Sequence, residues 1–117
     1  MSPLNITHRD AAAGPVLYVT GELDYAHATA LRQQAELLTL APGQCLVIDL
    51  SRLEFCDSTG ITALLAARQH VLAAGADIAL TGVPPNTLRI LKIVGLDQVL
   101  TIRSDADADT GTGTGTG

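Results

Sequence analysis

The chain has 117 residues, enough for one domain with a real core, and 47 % of them are hydrophobic, which excludes a largely disordered protein. Aromatic residues make up only 3 %, so the core must be built from Leu, Ile, Val and Ala. The net charge is −5, with 7 basic and 12 acidic residues and no basic cluster, which argues against nucleic acid as a partner.

Residues 4–8 (LNITH) alternate apolar and polar and predict a short strand, followed by a turn over residues 10–14. PVLYVT, residues 15–20, is a stronger strand. After Gly21-Glu22-Leu23-Asp24, the residues Ala28, Leu31, Ala35 and Leu38 fall on one helical face, opposite Arg32, Gln33 and Glu36. Asp24 is the expected N-cap of that helix and Pro42-Gly43 its stop. CLVIDL, residues 45–50, reads as a strand buried on both faces. A second helix places Ile61, Leu64, Leu65, Val71 and Leu72 on one stripe and ends at Gly75. Residues 78–80 predict another buried strand. A third helix opens at Pro84-Pro85-Asn86, runs through Leu88, Leu91 and Ile93, and ends at Gly95. Residues 99–102 form a candidate last strand.

The order β-β-α-β-α-β-α-β predicts an α/β fold. Its sheet is expected to be mostly parallel, with four to five strands, an N-terminal antiparallel hairpin and helices packed against it. The domain is expected to span residues 1–103. The acidic, Thr/Gly-rich segment 104–117 has nothing to bury and is expected to be a disordered tail. Without its three aspartates (Asp105, Asp107 and Asp109) the charge falls to about −2. The N-terminus has no apolar targeting segment, and no run reaches the roughly 18 apolar residues of a membrane span. A soluble, cytoplasmic protein with no membrane attachment is expected. Cys45 and Cys56 have neither metal nor redox spacing, so reduced thiols are expected, with no metal and no cofactor.

In parallel βαβ units the loops after the strands gather on one rim. That rim should collect residues 21–24, 54–60 and 82–85. The middle loop, EFCDSTGIT, concentrates the chemistry. Asp57 or Ser58 could simply cap the second helix. That leaves Gly60 unexplained, because glycine in a first helical turn costs about 1 kcal/mol against Ala and points to a close backbone approach. A nucleophilic serine fails the G-x-S-x-G pattern at both glycines. His8, His27 and His70 offer Ser58 no evident base, so an enzyme is not expected. A phosphate loop fails too, because the only lysine, Lys92, lies in another helix. Asp49 reads as a strand-end acid bonded to a nearby loop. The remaining reading is a displayed hydroxyl. A phosphate on Ser58 would sit at a helix N-terminus, which tolerates it. It would also add about −1.5 to −2 charge beside Asp24, Glu54 and Asp57.

VIDLSRLEFCDSTGITALL, with GELD upstream and ILKIVGLDQVL downstream, resembles the STAS domain family, and most closely its bacterial anti-sigma factor antagonists. The resemblance spans about residues 4–102 and implies the STAS fold and no catalysis. It implies that the unphosphorylated protein binds an anti-sigma factor that is also a serine-protein kinase, and so releases the sigma factor. Phosphorylation breaks that complex and a PP2C-like phosphatase restores it. The resemblance carries the acceptor to Ser58, with Thr59 as the alternative. It makes Asp24, Asp57, Ser58, Thr59 and Gly60 the partner-binding residues of a monomer. A helix usual at the family's C-terminus has no clear counterpart here. The other reading is a STAS interaction subunit of a different assembly, a stress-signalling scaffold or a lipid-transport complex, without the phospho-switch. Truncation after Ser104 is expected to leave the thermal midpoint unchanged, since the removed segment has nothing to bury. A sharp fall in that midpoint would show that the segment packs.

Overall fold

The computed structural model describes residues 3–103. A strand with one buried face needs alternation, and residues 14–23 supply it. Leu17, Val19 and Leu23 enter the core, while Val16, Tyr18, Thr20 and Glu22 stay partly exposed. This strand, β2 (Gly14–Leu23), pairs antiparallel with β1 (Asn5–Ala11) from Asn5↔Thr20 to Ala11↔Gly14. Both strands are longer than the sequence predicts. Gly21, Glu22 and Leu23 belong to β2 because they have a partner of their own.

That partner was read as loop. Strand β3 (Cys45–Asp49) lies parallel to the middle of β2, from Val16↔Val47 to Tyr18↔Asp49, and the chain then turns at Ser51 and Arg52. It resumes as β4 (Leu53–Cys56) beside the last residues of β2, with Gly21↔Leu53 and Leu23↔Cys56 in register. Burial along β4 runs buried, exposed, exposed, buried, so it carries no two-residue period to read. Among the described residues the sheet has six strands, more than the four to five expected. Their order is β1-β2-β3-β5-β6, with β4 on β2. Every pairing after the hairpin is parallel, including β5 (Asp77–Thr81) on β3 and β6 (Thr101–Arg103) on β5.

Helix α1 (Ala28–Leu37) packs against α2 (Ser58–Ala73), and α3 (Pro85–Ile93) follows β5. Helix α1 buries Leu31 and Ala35 as its pattern predicts, but ends at Leu37, well before Pro42. The buried face of α2 differs from the predicted stripe. It is Gly60, Ile61, Ala63, Leu64, Ala67 and Val71, with Leu65 only partly buried and Leu72 exposed. Small residues let α2 lie close to its neighbours, and a leucine count alone misplaces the stripe by part of a turn. Helix α3 begins with Pro85 in its first turn and buries Leu91 and Thr87, leaving Ile93 exposed. A 3-10 turn at Leu96–Gln98 leads into β6.

The core joins Leu17, Val19, Leu46, Ile48, Leu80 and the helices' Leu31, Leu64 and Leu91, all fully buried. Each such side chain contributes about 1.5–3 kcal/mol by burial. Among the described residues no helix is long and apolar enough to cross a membrane. The predicted tail over residues 104–117, and the question of a C-terminal helix, lie outside the described residues.

One glycine ties the hairpin to the parallel sheet. Gly14 has φ +141°, and a Cβ there would lie 2.2 Å from the Cys45 carbonyl oxygen. Beside it, the Cys45 N–H donates to the Ala13 carbonyl at 2.9 Å. Gly14→Ala is expected to lose about 2–5 kcal/mol in urea unfolding, from backbone strain plus the clash. Gly43→Ala is the control, with positive φ but open space around its Cβ, and should lose about 1 kcal/mol. Equal losses would show that the contact with Cys45 carries no weight.

Candidate functional site

The pairing of β2 with β4 builds the corner. With Leu23 opposite Cys56, the Asp57 N–H donates to the Leu23 carbonyl at 3.3 Å, and α2 starts at the next residue. Asp57 is extended (φ −103°, ψ −171°), as an N-cap must be. Its Oδ1 accepts from the Thr59 N–H at 3.0 Å and the Gly60 N–H at 3.0 Å. The Thr59 hydroxyl donates to the same oxygen. These bonds favour the charged form. The Thr59 hydroxyl, opposed in part by burial and helped by the Gly60, Thr59 and Tyr25 N–H groups, holds the Asp57 carboxyl below its usual range.

Gly60 is required by contact. A Cβ at this position would fall 2.5 Å from the Leu23 carbonyl oxygen, 2.8 Å from Leu23 Cγ and 2.9 Å from Cys56 Sγ. The first turn of α2 therefore rests directly on the end of β2. Cys56 is sealed beneath it. Burial, and then the charge of Asp57, push its thiol up to about 12, so it stays protonated at neutral pH and is no nucleophile.

Asp57, Ser58, Thr59 and Gly60 occupy consecutive positions of this corner, and Asp24 follows Leu23 directly. The two hydroxyls are not equivalent. Thr59 is half-buried and committed to Asp57, whereas Ser58 is exposed and its hydroxyl stands outside the corner's hydrogen bonds. The backbone N–H groups of Thr59 and Gly60, in the first turn of α2, are already held by Asp57.

Asp24 is not the side-chain cap of α1. The helix begins at Ala28, its N-cap position is His27, and no side chain caps it. Asp24 instead closes the preceding turn. Its Oδ1 accepts from the His27 backbone N–H at 3.2 Å and meets His27 Nδ1 at 2.7 Å. Its carbonyl accepts from the Ala28 N–H at 2.8 Å.

The rim is divided. Residues 21–24 meet residues 54–60, but Gly82 approaches Ser51 instead, with a Cβ there falling 2.7 Å from Ser51 Cβ. Asp49 behaves as a strand-end acid, accepting from the Ser51 N–H at 2.9 Å and its hydroxyl at 2.6 Å. Among the described residues no imidazole is hydrogen-bonded to Ser58. His8 meets Asp10, and His27 meets Asp24.

Sequence reasoning missed three residues here. His27 is weighed in the sequence only as a base for Ser58, although the spacing Asp24-x-x-His27 brings those two side chains together. Tyr25 and Phe55 are large, exposed to 81 % and 50 %, and sit in the two segments that form the corner. The signal was the scarcity of aromatics, with two of the chain's three beside the motif.

A groove of about 940 Å³ lies elsewhere. Leu53, Val83, Leu88, Lys92 and Leu100 are among its lining, and none of the predicted site residues is. Among the described residues, no cluster of three His, Cys, Asp or Glu side chains is placed to hold a metal ion.

The sequence profile of the family described as "Mlab, STAS domain" matches residues 6–102. The anti-sigma-B factor antagonist of Listeria monocytogenes is 26 % identical over 88 residues, 75 % of this chain and 77 % of the relative. The anti-sigma F factor antagonist of Paenibacillus polymyxa is 28 % identical over 89 residues, 74 % and 75 % of the two chains. The crystal structure of an anti-sigma factor antagonist from Mycobacterium paratuberculosis superposes with a TM-score of 0.75 at 28 % identity. The match covers 86 % of this chain and 85 % of that one.

The lowered pKa of Asp57 sets a pH dependence. A carboxyl depressed in the folded state adds stability that is present above its unfolded value and is lost as pH falls through the folded one. Asp57→Asn keeps a capping oxygen but cannot ionise. The stability gap between wild type and Asp57→Asn is expected to narrow steadily as urea unfolding is repeated from about pH 7 to about pH 2. A gap independent of pH would mean that the charge of Asp57 contributes nothing.

Proposed function

The chain belongs to the STAS domain family, and we propose that within it this protein acts as an anti-sigma factor antagonist switched by phosphorylation of Ser58. The observation that carries the reading is the contrast at the corner: an exposed Ser58 hydroxyl beside a Thr59 hydroxyl bound to Asp57. The names of the relatives support the partner class, an anti-sigma factor. Unphosphorylated, the rim around Asp24, Asp57, Ser58, Thr59 and Gly60 binds the anti-sigma factor and so frees the sigma factor. The anti-sigma factor, acting as a serine kinase, moves the γ-phosphoryl group of ATP to Ser58 Oγ. A P–O ester forms, the hydroxyl proton leaves, and ADP departs. A PP2C-like phosphatase hydrolyses the ester and restores the binding form. This chain performs no catalytic step in that cycle.

The physical basis is charge. The ester adds about −1.5 to −2 at a rim that already carries Asp24, Glu54 and Asp57. Such a charge, desolvated and unmatched in an interface, costs several kcal/mol, so phosphorylation should weaken binding about a hundredfold or more.

A pull-down with and without ATP, followed by purification of the anti-sigma factor it identifies, supplies the partner. Incubation with that kinase and ATP should add one phosphate, at Ser58 and not at Thr59. By calorimetry, Ser58→Ala should bind about as well as wild type, because one small hydroxyl in a complete interface adds little. Ser58→Asp should bind more weakly than either, though less weakly than the phosphorylated protein. Equal affinities for the Ala and Asp variants would sink the switch. ATP-independent capture of a partner that is not an anti-sigma factor would support the interaction-subunit reading.

A further inference from the structure

We infer that Tyr25 and Phe55 are aromatic anchors that grip the anti-sigma factor at the Ser58 corner, so that affinity and switching reside in different side chains. The inference rests on the function proposed above and deepens it.

The fold does not call for either ring. Tyr25 lies in the turn between β2 and α1 and is 81 % exposed. Phe55 is 50 % exposed on β4. Its chain neighbour Glu54 is exposed too, and its register partner across the strand pair is Glu22, so a charged residue is tolerated all around it. A polar residue would serve the isolated protein as well at both positions. The chain has three aromatic residues, and the third, Tyr18, is half-buried on the sheet.

Placement is the second argument. Tyr25 follows Leu23, whose carbonyl accepts from the Asp57 N–H, by two residues, and Phe55 precedes Asp57 by two. Both rings therefore ride on the rigid backbone that positions Ser58. Aromatic side chains offer large contact area for few rotatable bonds, and they dominate the small set of residues that carry interface energy. The exposed parts of these two rings amount to roughly a third of the ~800 Å² that one partner contributes to a standard interface. A hydroxyl cannot supply that. Ser58 can only veto it.

The test is calorimetric titration of the purified anti-sigma factor into wild type, Tyr25→Ala and Phe55→Ala, with Phe55→Gln as a second variant should Ala disturb β4. Each variant is expected to bind about tenfold or more weakly, with the thermal midpoint unchanged. Ser58→Asp should weaken binding by the same factor in the Tyr25→Ala background as in wild type, because the anchors and the switch act independently. Wild-type binding with all ring variants within about twofold of it overturns the inference and leaves the proposed function standing. A wild-type protein that does not bind the anti-sigma factor sinks the proposed function, and this inference with it.

Discussion

The Asp57 carboxylate is the contact on which the corner depends. One oxygen takes the N–H groups of Thr59 and Gly60 and the hydroxyl of Thr59, while the Asp57 backbone is anchored to Leu23. Helix start and strand end are thereby joined through a single residue. Loss of such a cap costs about 0.5–2 kcal/mol, modest for stability. Its positional effect is larger. With Thr59 drawn inward to Asp57, Ser58 is the hydroxyl left facing solvent.

That arrangement needs two further conditions, both met by close approach. Strand β4 must continue beside β2 after β3 has turned away, or Cys56 would not stand opposite Leu23. Gly60 must lack a side chain, or α2 could not seat its first turn on the Leu23 carbonyl. The small residues Ala63 and Ala67 continue the same theme along the helix. The sheet edge, the cap and the helix face thus form one unit, and the exposed rim inherits its rigidity.

Much of this was legible in the residues. Alternation in PVLYVT, the apolar run CLVIDL and the Gly and Pro punctuation located β2, β3 and the helices, because burial leaves a period when one face meets water. The anomalous Gly60 pointed correctly to a close approach. Strand β4 was not legible, since an edge strand of four residues with both central side chains exposed has no period at all. The role of Asp24 was misread for a related reason. An acid caps a helix only from the position directly before its first turn, and α1 starts at Ala28, four residues after Asp24 and beyond a turn that Asp24 itself closes with His27. Tyr25 and Phe55 escaped notice because periodicity arguments find what the core needs, and the core needs neither.

The same corner reconciles two demands on a charged modification. A dianion at Ser58 gains from the helix dipole, but the N–H groups of Thr59 and Gly60 are taken and the Asp57 carboxylate stands one residue away. In the free protein that repulsion is weakened by the high dielectric of water, since Ser58 is exposed. Once a partner covers the corner, the screening is removed and the same two charges interact across a far lower dielectric. Under the proposed switch, the cap that orders the helix in the free protein would also be the charge that opposes a phosphorylated complex. Replacing Asp57 by a neutral cap of equal shape would preserve the helix while weakening that opposition, so part of the proposed switch would reside in a residue other than the acceptor.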